Sequence, residues 1–213
     1  DDNTFVIDQD GDNNDVGGIT GAPITGDDNV LSITQDGDYM DFEGHLVGNN
    51  NSLTSFQGGN ADNSFMRVST VGSNNTGNLR QGKKMDGTVD NNDSGNFEQY
   101  ITVLGDSNNI STSQVNSGGT SSDHHMAHII TGDSNTLSHL QYADKKKQGF
   151  VEITGDDNTV TLEQRNSANH FADILLTGDD HTVTSVQRGG TGSHNLELDL
   201  TNAGGEYTVT TTQ

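Results

Sequence analysis

The sequence predicts an all-β fold, a cross-β solenoid of about nine stacked strand-arc-strand rungs that forms a single domain over residues 1–213. Three observations support this prediction. A ten-residue pattern (Gly, two residues, Asn, five residues, Gln) returns along the whole chain, and a period of about 20–50 residues is typical of solenoids and other repeat folds. The residues between Asn and Gln alternate in polarity, as in a half-buried strand. Ala is scarce, whereas Gly numbers 27 and strand and turn formers dominate.

The repeat is clearest between Gly155 and Gln164, where the chain reads GDDNTVTLEQ. Other copies with all three anchors begin at Gly26, Gly48, Gly72, Gly105 and Gly132. The last two copies have His181 and Tyr207 in place of Asn, and the opening copy lacks the Gly. Successive Gln anchors lie 22 to 33 residues apart. Nearly all of this variation falls in the arc after Gln, where the longest insertion is 82–95.

Each rung is expected to contain two strands. The strand after each Asn, here called the post-Asn strand, has a first inward position that is apolar in every copy except at Gly77. These positions are Phe5, Leu31, Leu53, Gly77, Ile110, Leu137, Val160, Val183 and Val209. The strand before each Gly, called the pre-Gly strand, alternates in the same way, as in the pair Val151 and Ile153. Nine post-Asn strands and eight pre-Gly strands leave a half-rung at one end.

The bulk composition limits the function. A hydrophobic content of 28% and a net charge of −22 are typical of disordered chains, but stacked rungs need only a thin apolar core. The acidic charge disfavours nucleic acid and anionic membranes as partners. No segment approaches the roughly 20 apolar residues of a membrane-spanning helix, and the absence of Cys excludes disulfides and thiolate metal sites. Because the chain begins at Asp1, we expect a mature form whose leader has been removed.

The repeat resembles the curlin repeat of curli fibre subunits. The resemblance covers almost the whole chain and is closest at Gly132 to Gln141, Gly155 to Gln164 and Gly178 to Gln187. It implies a secreted β-solenoid that polymerises into a functional amyloid fibre of the extracellular biofilm matrix. This chain departs from the family at the position two residues before Gly, where apolar residues or Thr replace the expected Gln. It is therefore identified as a divergent member.

Equivalent residues of successive rungs are expected to stack about 4.8 Å apart. Two columns of amide side chains would then run the length of the rod as structural ladders. The Gln ladder contains Gln35, Gln57, Gln81, Gln114, Gln141, Gln164 and Gln187. The Asn ladder contains Asn29, Asn51, Asn75, Asn108, Asn135 and Asn158.

The ends of the solenoid are predicted to be polymerisation surfaces. Solenoids that stay monomeric need polar caps, whereas the first and last post-Asn strands here look like ordinary rungs. Open ends with matching register favour head-to-tail stacking of copies of the same chain into a filament. The residues expected at this joint are Phe5, Ile7, Gln9, Val209, Thr211 and Gln213.

Two charged features suggest ligands. Asp156, Asp157, Asp179 and Asp180 fall on the arcs of two adjacent rungs, and closely spaced carboxylates suit Ca²⁺. The alternative is that these carboxylates form a solvated acidic edge, and the absence of the calcium-binding nonapeptide repeat favours this alternative. Five of the nine basic residues lie in two arcs after Gln. They could meet an extracellular anionic polysaccharide or the acidic edge of a neighbour, although a solvated loop explains them better. They are Lys83, Lys84, Lys145, Lys146 and Lys147.

Two further clusters have open interpretations. Strand parity places His124 and His128 inward with Met126 between them and His125 outward. These groups would form either a metal site with His139 or His170, or polar filling of a thin core. The pre-Gly strands also carry outward aromatic rings, which could pack on a second filament or on sugar rings, or be shielded by their neighbours. These rings are Phe65, Tyr100, Phe150 and Phe171.

Catalysis finds no support, because no nucleophile elbow, metalloprotease helix or phosphate-binding loop is present. We therefore expect a non-enzymatic fibre subunit that takes part in adhesion. The alternative is a soluble solenoid that binds ice, calcium or a polysaccharide. An ice-binding face would use the Thr pairs 159/161, 182/184 and 208/210, whose regularity fails in other rungs. A polysaccharide lyase on a parallel β-helix is disfavoured by the short chain.

Overall fold

The computed structural model describes most of the repeat strands and the arcs between Gly and Asn. The described residues are 2–9, 12, 14, 24–35, 41–48, 50–57, 65–72, 74–81, 98–105, 108–115, 124–142, 147–165, 169–189, 193–201 and 208–212. Within them every regular element is a β-strand, and no helix is long and apolar enough to cross a membrane. The insertion predicted at 82–95 lies outside the described residues.

The strands form two sheets in strict alternation along the chain. The nine-strand sheet contains β1 (Asp2–Gln9), β3 (Asp28–Gln35), β5 (Ser52–Phe56), β7 (Thr76–Gln81), β9 (Asn109–Val115), β11 (Thr136–Tyr142), β13 (Thr159–Arg165), β15 (Thr182–Arg188) and β17 (Thr208–Thr212). The eight-strand sheet contains β2 (Ile24–Thr25), β4 (Asp41–Val47), β6 (Phe65–Val71), β8 (Glu98–Leu104), β10 (His124–Thr131), β12 (Lys147–Thr154), β14 (His170–Thr177) and β16 (His194–Thr201).

All pairings are parallel, and each strand pairs with its equivalent one repeat away. Val160 pairs with Val183 and Gln164 pairs with Gln187, so equivalent residues stack on one another as the repeat predicts. The chain therefore winds as a β-solenoid, which confirms the predicted fold class. The prediction of about nine rungs is too high, although the nine post-Asn strands and the eight pre-Gly strands are all present. Among the described residues eight turns contain a strand of each sheet, and one post-Asn strand has no partner in the eight-strand sheet.

The core lies between the two sheets, and each sheet contributes one layer of side chains to it. The apolar residues of the inward columns are buried in the interior of the solenoid, as at Leu31, Val160 and Ile174, each with 0% exposure, and partly buried on the terminal strands β1 and β16. Gly77 interrupts the first column and lies beside a cavity of about 10 Å³ that Leu79 and Ile110 also line. A thin core of this kind suffices because both sheets close their main-chain hydrogen bonds from rung to rung.

The arc between Gly and Asn is fixed by backbone conformation. In the described arcs the Gly has a positive φ, for example +131° at Gly155, and the carbonyl of the preceding rung lies against it. A Cβ added to Gly155 would lie 2.1 Å from the carbonyl oxygen of Gly132. Two residues later the chain again enters the left-handed region, with φ near 57° at Ser134, Asp157 and Asp180. Small polar residues tolerate this conformation best.

Gly77 and Gly155 should respond oppositely to the same substitution. Gly77→Ala places its Cβ 3.9 Å from Ile110 Cγ2, an ordinary contact, and should raise the free energy of unfolding by about 0.5–1 kcal/mol. Gly155→Ala forces strain and a clash, and should lower it by at least about 1 kcal/mol. Urea unfolding of both variants measures the difference, and changes of the same sign would contradict the packing described.

Candidate assembly site

The Gln column forms the predicted side-chain ladder. Gln35 Nε2 donates to Gln57 Oε1 at 2.7 Å. Farther along, Gln164 Nε2 donates to Gln141 Oε1 at 2.8 Å and Gln187 Nε2 donates to Gln164 Oε1 at 2.9 Å. All five side chains are at least 98% buried, so these amide bonds form away from water, where an unmade bond is costly.

Each ladder amide also donates to the other sheet, which the sequence did not predict. Gln35 Nε2 bonds the carbonyl oxygen of Asp41 at 3.0 Å, and Gln164 Nε2 bonds that of Phe171 at 2.9 Å. The same contact joins Gln187 to Asn195. Each of these Gln side chains therefore links its own rung to a neighbouring rung and the nine-strand sheet to the eight-strand sheet, at the point where the arc after Gln begins. Because Gln closes the rung by itself, the arc after it can vary in length.

The middle of the Gln ladder is only partly described. The side chains of Gln81 and Gln114 lie outside the described residues, although their main chains pair in register. At the N-terminal end Gln9 Nε2 lies 3.5 Å from Gln35 Oε1, the longest of the described ladder bonds. Gln187 Oε1 is buried without a hydrogen-bond partner in the described part of the chain. The next ladder position, Gln213, is among the residues that are not described.

The Asn column is buried but makes no ladder of amide to amide bonds among the described residues. Asn108 Nδ2 donates to the carbonyl oxygen of Gly105 at 2.9 Å and Asn135 Nδ2 to that of Gly132 at 2.6 Å. Asn135 Oδ1 accepts from the main-chain N–H of Asn108 at 3.0 Å. The prediction of an amide ladder is therefore wrong. Asn pins its own turn and the main chain of the preceding rung, because a three-residue arc leaves the Gly carbonyl within reach of a short side chain.

The bonds of the Asn column are not uniform. Asn51 and Asn75 donate to the carbonyl oxygens of their own Gly residues at 3.1 Å. Asn29 Nδ2 instead donates to the carbonyl oxygen of Val47 at 3.2 Å. Asn135 N donates to Asn158 Oδ1 at 2.7 Å, which continues the rung-to-rung contact. The column thus connects turn to turn from Asn75 to Asn158 through side-chain to main-chain bonds.

The four acids predicted to hold Ca²⁺ lie on adjacent arcs, and the carboxylate of one of them, Asp156, accepts a hydrogen bond from the main chain of the next arc, as Asp133 does one rung earlier. Asp156 Oδ1 accepts from the N–H of Asp179 at 2.8 Å, and Asp133 Oδ1 accepts from the N–H of Asp156 at 2.9 Å. Asp157 and Asp180 are exposed. Among the described residues no group of three or more His, Asp or Glu is arranged to hold a metal ion. The calcium site stays a prediction.

The His cluster contributes to the buried core. His128 and Met126 are fully buried, as strand parity predicts, and the His128 ring meets the His139 ring edge to face with centroids 5.2 Å apart. Gln99 Oε1 accepts from Thr112 Oγ1 at 2.6 Å and lies 3.3 Å from His128 Nε2. Gln99 is a buried polar residue that the sequence did not predict, although its inward parity on β8 is a usable signal. The side chain of His124 is not described.

Burial lowers the pKa of His128 to about 3 from its ordinary value of 6.5. The ring is therefore neutral in the folded chain, with Nε2 placed to donate to Gln99. His128 Nδ1 has no hydrogen-bond partner in the described part of the core. A proton on this ring would create a charge that is buried away from water beside a second imidazole.

Lys147 corrects the prediction of solvated lysine loops. It opens β12 and has 0% exposure, because its column runs along the inside of the eight-strand sheet, where Lys147 pairs with His124 and His170. It is therefore not available to a polysaccharide. The other four lysines of these arcs, Lys83, Lys84, Lys145 and Lys146, lie outside the described residues.

The two ends of the nine-strand sheet are regular strands. Within the described chain β1 pairs only with β3, and β17 only with β15. Ile7 is half-buried and packs against the core, whereas Val6 on the opposite face is 68% exposed. The structure places the main chains of Phe5, Val209 and Thr211 in these strands but does not describe their side chains.

The last strand of the eight-strand sheet has an incompletely covered apolar face. Leu196, Leu198 and Leu200 of β16 are only partly buried. Their equivalents one rung earlier include Ile174 and Leu176, which have 0% exposure. The difference arises because no described strand pairs with the outer edge of β16.

Gln164→Leu should lower the free energy of unfolding by about 2–4 kcal/mol, because Gln141 Oε1 and the Phe171 carbonyl oxygen lose buried donors. The matched control is Glu163→Gln, one residue earlier on the solvent face, where only an exposed ion pair with Arg165 is lost. That variant should change stability by less than about 0.5 kcal/mol. Chemical denaturation separates the two, and equal midpoints would contradict the role assigned to the ladder.

The buried His128 should make stability depend on pH. Below pH 6.5 the His128 ring takes up a proton in the unfolded chain, whereas in the folded chain it stays neutral down to about pH 3. The contribution of His128 to the free energy of unfolding is therefore complete above pH 6.5 and decreases as the pH is lowered below that value. The loss reaches about 2 kcal/mol at pH 5. His128→Val, which matches Val151 in the same column, should flatten the unfolding free energy between pH 7 and 5 by that amount. If the free energy of unfolding changes equally with pH in the native chain and in His128→Val, His128 is not the source of the pH dependence.

Comparison of the chain with protein-family models, curated proteins and solved structures finds no match. The resemblance to curlin repeats therefore rests on the repeat pattern of the sequence.

Proposed function

We propose that the chain is the structural subunit of an extracellular, curli-like functional amyloid fibre that grows head to tail through the ends of the solenoid. One observation carries the proposal. Both sheets are parallel and in register, and in the described chain the terminal strands β1 and β17 each pair on one side only. An edge of this kind is a template for another strand.

The register within the chain predicts the register at the joint. Residues of β17 stack on their equivalents in β15, as Val209 does on Val183, and β1 stacks on β3 in the same way. A following copy would therefore set Phe5 against Val209 and Ile7 against Thr211. Gln9 would meet Gln213 and continue the Gln ladder. The same contact repeated without closure gives a filament.

Burial at the joint favours assembly. Leu196, Leu198 and Leu200 stay partly exposed in a single copy. Because β17 has no partner in the eight-strand sheet of the described chain, a following copy has to fill the strand position beside β16 to bury them. Each square ångström of apolar surface removed from water contributes roughly 25 cal/mol. The charge of −22 opposes contact between copies, so growth should be faster when salt screens the repulsion.

The proposed location and role follow from the resemblance and the composition. A chain without Cys that resembles the curlin repeat suits secretion into a matrix, where a fibre serves adhesion. No enzymatic role is proposed.

Two lysine variants on one terminal strand test the joint. Ile7→Lys puts a charge on the half-buried inward side of β1, and Val6→Lys puts the same charge on its exposed side. We expect Ile7→Lys to slow fibre growth at least about tenfold, because a charge at the joint would be desolvated. Val6→Lys should grow fibres at close to the normal rate. Electron microscopy and sedimentation measure growth, and equal growth of the two variants would reject head-to-tail assembly through this strand.

A second candidate, a soluble ice-binding solenoid, is favoured by one observation. Thr159, Thr182 and Thr208 lie in register on adjacent strands, and so do Thr161, Thr184 and Thr210. Asn109 and Ser111 occupy the equivalent places on β9, which breaks the array. Thermal hysteresis in a solution of monomers would support this candidate, and its absence together with fibres would reject it.

A further inference from the structure

The outer face of the eight-strand sheet carries one aromatic ring on each of five successive strands. In the order β6, β8, β10, β12 and β14 these are Phe65, Tyr100, His125, Phe150 and Phe171. The pairing registers place them alternately in two neighbouring rows, so that they form a zigzag along the sheet. At about 4.8 Å per strand the zigzag extends roughly 19 Å. This set of five residues is called the aromatic strip.

Contacts among the first three rings show that the strip is ordered. The Phe65 and Tyr100 ring centroids lie 5.7 Å apart, and those of Tyr100 and His125 lie 5.5 Å apart. All five rings are half-buried, so each has one side on the sheet and keeps part of its surface in solvent. The guanidinium of Arg67 lies 5.2 Å from the Phe65 centroid and 5.9 Å from that of Tyr100. The strip already accommodates one cation over its rings.

Carboxylates surround the aromatic strip. Among the described outward side chains of the eight-strand sheet, Arg67 is the one Lys or Arg, and it is bound to Glu43 at 3.0 Å. The acids of this face are Asp41, Glu43, Glu98, Glu152, Asp173, Glu197 and Asp199. The outer face of the nine-strand sheet differs, because its described acids (Asp8, Asp28, Glu163) are matched by three Arg (Arg80, Arg165, Arg188).

We propose that the aromatic strip and its carboxylates bind a cationic amino-sugar polysaccharide along the outer face of the eight-strand sheet. Sugar rings present flat C–H faces that lie on aromatic rings, and protonated amines bind carboxylates and the faces of aromatic rings. Tyr100 and Phe150 share a row with Ala127 between them. Their strands are thus about 9.6 Å apart, a distance that a disaccharide spans.

The charge of the chain selects this occupant over others. A second copy carries the same −22 and the same carboxylates, so it is repelled from this face. Nucleic acids and acidic glycans are repelled for the same reason. A neutral glycan could use the rings but not the seven acids. The proposal does not depend on head-to-tail assembly, because the strip lies on the side of a single chain.

Calorimetric titration of the freshly purified, unassembled chain tests the proposal. The probes are a β-1,4-linked glucosamine hexamer with protonated amines, its fully N-acetylated form, and hexalysine. We expect the glucosamine hexamer to bind and to weaken as salt is added. Tyr100→Ala and Phe150→Ala should each weaken it about five- to tenfold, whereas Tyr100→Phe, which keeps the ring, should bind as the native chain does.

A matched pair of double variants distinguishes binding at the aromatic strip from general attraction to the negative charge of the chain. Glu98→Gln with Glu152→Gln removes two charges beside the strip and should weaken binding. Asp27→Asn with Asp133→Asn removes two charges from the exposed arcs and should weaken it far less. The proposal is overturned if the glucosamine hexamer does not bind, if the N-acetylated form binds equally well, or if hexalysine binds equally well with no loss in the ring variants. Far-UV circular dichroism of each variant checks that the sheet is intact.

Discussion

The solenoid depends on the buried Gln amide that closes each rung. Gln164 accepts from Gln187, and its own amide donates both to Gln141 and to the main chain at Phe171. A single side chain therefore sets the stacking register and holds the two sheets together. Because amides are short and uncharged, identical layers can repeat without accumulating buried charge. Because this amide closes the rung before the following arc begins, insertions in that arc leave the rung unchanged.

A chain with 28% hydrophobic residues folds because its core is narrow and its polar interior is organised. The inward columns supply one apolar layer, and the Gly and Asn of each arc supply a second line of contacts. The carbonyl of Gly132 lies where a Cβ on Gly155 would be, so Gly is required by the closeness of the rungs as well as by its φ. The His128 and His139 pair interrupts the apolar core in the middle of the solenoid and makes that region sensitive to acid.

The repeat predicted the fold class, the alternation of two strands and the inward columns, because spacing and parity fix these features directly. It could not predict where a short side chain finds its partner. Asn135 bonds the nearby Gly132 carbonyl rather than the next amide, which depends on the arc conformation. Lys147 was assigned to a loop because a charged run usually is solvated, yet β12 begins at Lys147 and its side chain falls on the inward face of the strand. Gln99 was missed because polar inward residues break the apolar pattern used to find the core.

The two faces of the solenoid and its two ends offer separate surfaces, with rings and acids on one sheet, hydroxyls on the other and strand edges at the ends. Electron cryo-microscopy of assembled filaments tests the central claim that growth continues the stack of the nine-strand sheet. The account predicts an axial repeat of nine strand spacings per subunit, about 43 Å. A filament whose only axial repeat is that of a single strand, about 4.8 Å, or a closed particle with no filament, would contradict it.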